Sequence, residues 1–263
     1  MDFGFKETWL HKINPTLKLF TMIVLFIFVL FVHQINWLIN LTLGAFILFW
    51  FFSGHPKKRL SLLMIPFVII FISTASSMIL FGKGETTWLK WGLIHVTEES
   101  FYRGLHLGFR AMIFALLGLT FALTTRPVNL FYSLMQQVKL NPKYAYSFMA
   151  GLRLIPIMIE EFLTIRNAMK VRGVEQQRGI RALYFKIKSY SIPLLSQSIR
   201  RAHRIAVAME AKRFTGMGKR TYYYKLGFSF NDGVFIMYLG ALILGSYYLS
   251  TIWPFFPVGD VRY

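Results

Sequence analysis

Residues 198–213 read Ser-Ile-Arg-Arg-Ala-His-Arg-Ile-Ala-Val-Ala-Met-Glu-Ala-Lys-Arg. Within this run Ile199, Ala202, Ala206, Met209 and Arg213 recur at spacings that alternate between three and four. Such spacing puts them on one stripe of an α-helix: four small or flexible apolar groups, then an arginine at the C-terminal end. Gln197, Arg200, Arg201 and Arg204 lie off the stripe. The stretch is an amphipathic helix, and its small residues let a second helix cross it closely.

A second such helix lies upstream. Asn141-Pro142 predicts its start, because proline suits the first helical turn, and it runs to about Lys170. Its apolar stripe is Leu152, Ile155, Ile159, Phe162, Ile165 and Met169. Pro156 falls inside it and predicts a kink, while Gly173 and Gly179 mark its end. Ser191-Ile192-Pro193 predicts the opening of the next helix, which runs to about Phe214 before Gly216 and Gly218. The two helices end in basic triplets, Val171-Arg172-Gly173 and Ala211-Lys212-Arg213. A cation is favoured at a helix C-terminus by roughly 0.3–1 kcal/mol, so each triplet alone reads as an ordinary cap. Read together in one chain, they place two cations on rigid helix ends, where a guanidinium can grip a partner's carboxylate or carbonyls in a bidentate way.

This block, Thr124 to Phe230, is set between long apolar segments. The whole chain is 55% hydrophobic and 17% aromatic, with a mean hydropathy of +0.49, too apolar for an ordinary soluble domain. The excess falls in runs that predict five membrane spans: roughly Leu17–Ile35, Trp37–Phe52, Leu60–Phe81, His106–Leu123 and Gly233–Trp253. The first two are separated only by His33-Gln34-Ile35-Asn36, and form a tight hairpin or one re-entrant unit. No small-residue cleavage site follows the first run, so it reads as an uncleaved span. The 82–105 stretch, with Gly82, Gly84, Glu85, Glu98, Glu99 and the tryptophans 88 and 91, reads as an external loop with an interfacial aromatic belt.

Net charge is +19, and nineteen of the 30 Lys and Arg lie in 124–230. Lys6, Lys12, Lys18 and the Lys57-Lys58-Arg59 triplet fall on the same side of the predicted spans, which makes that side and the N-terminus cytoplasmic by the positive-inside rule. The tail Pro254–Tyr263 then lies outside. Cysteine is absent, which excludes disulfides, thiolate nucleophiles and cysteine metal sites.

Other motifs carry less. Gly216-Met217-Gly218-Lys219 lacks the Gly at 213 and the Ser/Thr at 220 that a phosphate loop requires, and reads as a basic turn. The six histidines show no i,i+4 pairing, so no metal site is expected. Glu160 and Glu161 point about 100° apart on a helix and read as partners for Arg153, Arg166 or Lys170. Arg110 lies inside the fourth span, where a charge costs roughly 2.5–3.5 kcal/mol on insertion scales. It either snorkels or pairs with a protein carbonyl or a partner group. Asn40-Leu41-Thr42 spells a glycosylation sequon but lies in a span.

These residues resemble the transmembrane T component of energy-coupling factor (ECF) transporters, the CbiQ-like family. Asn14-Pro15-Thr16-Leu17-Lys18-Leu19 is similar to the family's opening D-P-R-x-K-L, and Arg110 sits where its fourth-span arginine is expected. Thr124-Thr125-Arg126-Pro127 resembles T-T-x-P, and Leu152-Arg153-Leu154-Ile155-Pro156 resembles L-R-F-I-P. Ile199-Arg200-Arg201-Ala202 and Ala208-Met209-Glu210-Ala211 resemble the S-I-R-R-A…A-M-E-A run. The family's helix ends read Ala-Arg-Gly. The first here is Val171-Arg172-Gly173, while the second has Lys212 at the arginine position and Arg213 at the glycine. Arg172 is therefore the better-matched anchor, and Arg213 an alternative to Lys212.

The resemblance implies an all-α polytopic membrane protein, with four spans in 1–123, a cytoplasmic coupling domain in 124–230 and a last span and external tail in 231–263. It implies a non-catalytic T subunit of an ABC-type importer for a vitamin or metal ion, in the bacterial cell membrane, with no cofactor, metal or nucleic acid. Val171, Arg172, Gly173, Ala211, Lys212 and Arg213 would dock on two cytoplasmic ABC ATPases. Ile199, Ala202, Ala206 and Met209 would form the crossing of the coupling helices. A small membrane S component that binds substrate, and membrane lipid, would be the other partners. Two rival readings are a basic membrane-surface protein binding anionic lipid and a membrane-embedded transferase. The transferase is disfavoured, because only four acidic residues fall in 124–230 and none pairs with a histidine there.

Overall fold

The computed structural model describes residues 6–82, 84, 86–91, 94–173, 179–214 and 221–256. Among them lie helices α1 (Pro15–Phe31), α2 (Ile35–Phe52), α3 (Lys57–Phe81), α4 (Glu98–Thr124), α5 (Pro127–Gln137), α6 (Pro142–Val171), α7 (Ile180–Ala211) and α8 (Phe230–Ile252). A single 3-10 turn, Trp9–Lys12, precedes α1, and strands β1 (Thr87–Trp91) and β2 (Ile94–Thr97) pair antiparallel. The fold is all-α, with four helices long and apolar enough to cross a membrane: α2, α3, α4 and α8. α1 is the shorter fifth, 17 residues, about 26 Å at 1.5 Å per residue. The chain divides into two compact units, Met1–Ser133 with Leu226–Tyr263, and Leu134–Lys225.

In the first unit Leu25, Val29, Leu41, Phe49, Leu116 and Phe235 pack one apolar core from α1, α2, α4 and α8. Of the two arrangements open for the first apolar runs, α1 and α2 are separate helices, broken at Val32–Gln34. α3 lies close on α4 because α4 presents glycines: a Cβ at Gly104 would come 2.8 Å from the Ala75 carbonyl oxygen, and one at Gly108 2.9 Å from the Phe71 ring. α8 is tied to α2 by Tyr238 donating to the Gly44 carbonyl (3.0 Å) and the Trp37 indole donating to Ser246 Oγ (3.0 Å).

The stretch expected as one external loop is more ordered. It holds the β1–β2 hairpin, and α4 already begins at Glu98. Thr97 supplies the reason. Its hydroxyl accepts from the Ser100 amide (3.2 Å), and Glu98 and Glu99 complement the positive helix N-terminus. Lys83 and Glu85 of that stretch, Glu175, the Gly216-Met217-Gly218-Lys219 turn and the tail from 257 onward lie outside the described residues.

α4 ends at Thr124, and Pro127 opens a further helix, α5, that apolar runs and prolines alone did not predict. Ser133, on α5, bonds into the first unit through Thr16 and Asn14.

In the second unit α6 begins at Pro142, with the Asn141 side chain accepting from the Lys143 amide at 2.9 Å, and passes unbroken through Pro156. The start of α7 corrects the sequence expectation. The helix opens at Ile180, not at Ser191, and Pro193 sits inside it. Gly179, in a left-handed backbone conformation (φ 113°), marks the entry, and proline costs one hydrogen bond without ending a helix whose apolar face continues across it.

Candidate functional site

The two basic helix ends have the same backbone design. Arg172 caps α6, and its amide bonds to the Ala168 carbonyl at 3.1 Å. Gly173 follows in the left-handed region (φ 72°), its amide on the Lys170 carbonyl at 3.0 Å. Lys212 caps α7, and its amide bonds to Ala208 at 3.2 Å. Arg213 follows, also left-handed (φ 52°), its amide on Glu210 at 2.8 Å, and the Phe214 amide returns to Met209 at 2.9 Å. That pair of bonds is a Schellman closure with arginine where glycine is usual. In conformation Lys212 therefore corresponds to Arg172 and Arg213 to Gly173. All six residues of the two triplets are exposed, Val171 to 90%.

α6 and α7 run antiparallel. Phe162 meets Tyr190 edge-on with ring centroids 5.3 Å apart, and Tyr146 meets Phe214 at 5.4 Å. Between these contacts Ser198 Oγ donates to Met158 Sδ at 3.6 Å, and Arg201 pairs with Glu161. An antiparallel pair puts the two helix C-termini at opposite ends. Counting residues out from the Phe162–Tyr190 contact at 1.5 Å each, Arg172 and Lys212 stand on the order of 45 Å apart. Ile199, Ala202 and Ala206 are exposed and Met209 is half-buried. Contacts with α6 are made on the adjacent face, at Tyr190, Ser198 and Arg201. Glu161, expected to pair within its own helix, finds its cation on the other one.

In the first unit the motif residues near each chain turn converge. The Asn14 side chain caps α1, accepting from the amides of Thr16 (3.1 Å) and Leu17 (3.5 Å). The Asn14 backbone amide donates to Asp232 Oδ1 at 2.7 Å, and Ser133 Oγ donates to Asn14 Oδ1 at 2.7 Å. Thr16 Oγ1 donates to Ser133 Oγ at 2.6 Å. Lys18 is 1% exposed. Its ammonium donates to the Leu10 carbonyl (2.6 Å), the Thr124 carbonyl (3.3 Å) and Thr124 Oγ1 (3.0 Å). The Asn-Pro-Thr-Leu-Lys and Thr-Thr-Arg-Pro motifs thus form one polar knot that ties α1, α4, α5 and α8 together, a role no spacing argument revealed. Beside it, Arg126 pairs with Glu7 at 2.7 Å on the surface. His11 and His55 lie near this end, and burial lowers both below the usual imidazole value, with Lys18 adding to the effect at His11.

Arg110 takes the second of the roles open to it. Its Nη2 donates to the Val32 carbonyl at 2.9 Å, and His106 Nε2 lies 3.1 Å from the same oxygen. That carbonyl stands at the break between α1 and α2, where the helix leaves acceptors without helical donors. The intramembrane charge therefore closes a helix end inside the bundle.

The family described as CbiQ, cobalt transport protein, matches residues 6–223. The energy-coupling factor transporter transmembrane protein EcfT of Streptococcus equi subsp. equi (strain 4047) is 27% identical over 251 residues, 90% of each chain. That of Streptococcus thermophilus (strain ATCC BAA-250 / LMG 18311) is 28% identical over 257 residues, 93% of this chain and 96% of its own. That of Brevibacillus brevis (strain 47 / JCM 6285 / NBRC 100599) is 29% identical over 242 residues, 87% and 89% of the two chains. The match takes in the Asn14–Lys18 and Thr124–Pro127 motifs, the Arg110 helix closure and both helix ends, and on it the chain belongs to the CbiQ family, the transmembrane T components of energy-coupling factor transporters.

Proposed function

We propose that this chain is the T subunit of an ATP-driven importer for a vitamin or metal ion, seated in the bacterial cell membrane with its N-terminus in the cytoplasm. It carries no catalysis of its own. Two cytoplasmic ABC ATPases take the ends of α6 and α7, one at Val171-Arg172-Gly173 and the other at Ala211-Lys212-Arg213. Their closure on ATP moves the helix pair, and a small membrane S component responds by releasing its substrate inward.

The observation that carries this reading is the pair of helix ends. Two exposed cationic caps of the same backbone geometry stand at opposite ends of one antiparallel helix pair. A rigid two-ended strut of this kind suits two similar partners held apart, and cap residues with no cargo role need not be so matched. The charge asymmetry of the sequence supports the orientation.

The test is purification of the tagged chain from its host in mild detergent, with mass spectrometry of what accompanies it. Wild type is expected to bring one or two ABC-type ATPases and a small apolar protein whose ligand names the substrate. Arg172→Ala is expected to lose ATPase at ordinary ionic strength, because a specific bidentate contact is removed and not a diffuse charge. Recovery of the same ATPases from wild type and from an Arg172→Ala/Lys212→Ala double variant would sink the docking assignment.

A further inference from the structure

α7 begins eleven residues before the point that the sequence predicted, and its added turns carry an exposed apolar face. Ile180 is 89% exposed, Leu183 58%, Tyr184 71% and Ile187 56%. At 100° per residue these four fall within about 100° of the helix circumference. Contacts from α7 to α6 at Tyr190, Ser198 and Arg201 lie C-terminal to this face. Lys186 and Lys188 flank Ile187, each about 100° around the axis from it, one on either side. From Ile180 to Met209 there is no Asp or Glu, while Arg181, Lys186, Lys188, Arg200, Arg201 and Arg204 are all cationic.

We infer that the first half of α7, Ile180–Ile192, lies in the membrane plane as an interfacial helix bound to anionic lipid. An apolar stripe bordered on both sides by lysines is the cross-section such a helix needs. The apolar side chains enter the acyl boundary while the flanking ammonium groups reach back to headgroup phosphates. Each lysine near a negatively charged leaflet adds to the attraction. Tyr184 brings an amphipathic ring suited to headgroup depth. Charge selects the occupant: thirty residues of helix without a carboxylate complement an anionic surface. The inference stands on α7 alone and does not depend on the transporter role proposed above.

The chain contains no cysteine, so one introduced thiol reports one position. Full-length protein carrying Tyr184→Cys, Ile187→Cys or, on the opposite side of the helix, Ser189→Cys is spin-labelled. It is then reconstituted in phosphatidylcholine vesicles with and without phosphatidylglycerol. With phosphatidylglycerol present, the ratio of oxygen to nickel-chelate accessibility at 184 and 187 is expected to exceed that at 189 by roughly threefold or more. The difference is expected to shrink when the anionic lipid is omitted, or when Lys186→Gln and Lys188→Gln are added. Equal ratios at the three positions would overturn the inference and leave the face in water. Labels at 184 and 187 shielded from both reagents would overturn it in favour of a protein partner. Insertion indifferent to lipid charge and to the lysine substitutions would overturn the assignment of anionic lipid.

Discussion

Arg213 holds, after α7, the left-handed backbone position that Gly173 holds after α6. The second helix end therefore keeps its cation in the cap at Lys212 and carries another on a residue whose Cβ crowds its own backbone. Left-handed geometry costs a non-glycine residue roughly 1–2 kcal/mol, offset here by the two closing hydrogen bonds to Glu210 and Met209.

Arg213→Gly is accordingly expected to stabilise the end of α7 by about 1 kcal/mol. Hydrogen exchange at the amides of residues 213 and 214 is the direct readout, and slower exchange is the expected result. If Lys212 is the anchor, ATPase binding survives this change and is lost with Lys212→Ala. The reverse pattern would assign the contact to Arg213.

Glu161 and Arg201 join α6 to α7 at a partly buried site. Either single charge reversal, Glu161→Arg or Arg201→Glu, brings like charges together there. Each is expected to destabilise the helix pair by about 1–3 kcal/mol, less than a fully buried pair would lose because both groups keep some solvent. The double reversal is expected to recover most of that loss. Thermal unfolding of the four proteins makes the double-mutant cycle, and additive losses would refute the pairing.

Lys18 donates to the Leu10 and Thr124 carbonyls and to the hydroxyls of Thr124 and Thr125, with almost no solvent. Lys18→Met keeps the bulk but leaves the Leu10 and Thr124 carbonyls short of a donor. The expected cost is about 2–3 kcal/mol, because buried acceptors lose their partner without regaining water. Thr124→Val removes only one of these acceptors and is expected to cost less. Detergent melting temperatures rank the two.

His11 and His55 titrate below the ordinary imidazole value of 6.5 because burial disfavours their charged forms. At His11 the Lys18 ammonium and His55 act in the same direction, while Glu7 opposes them. A depressed folded-state pKa means that unfolding favours protonation. This contribution to stability is complete above about pH 6.5 and drains away as the pH falls below it toward the folded value. Melting temperature is expected to decline below pH 6.5, and His11→Gln/His55→Gln to flatten that limb. An unchanged acid limb in the double variant would remove these histidines from the account.

Much of the fold is written locally. Apolar runs of span length mark α2, α3, α4 and α8, and Asn141-Pro142 and Gly173 bracket α6 to within a residue or two. Pro193 misled because a proline weakens a helix without ending it when apolar residues on both sides have a common face. Thr97 and the two glutamates after it start α4 earlier than hydropathy alone implies, since capping acts where hydrophobicity is low.

The helix-end triplets, the span count and the charge asymmetry follow from the chain itself, because periodicity, capping and the cost of burying charge act over a few residues. Tertiary structure alone decided that Lys18 meets Thr124, that Asn14 joins Ser133 to Asp232, and that Arg110 closes the break at Val32. Those partners lie from 78 to 218 residues apart in the chain. Only packing brings such groups out of water together, and each buried polar group must then find its partner wherever the fold has placed one.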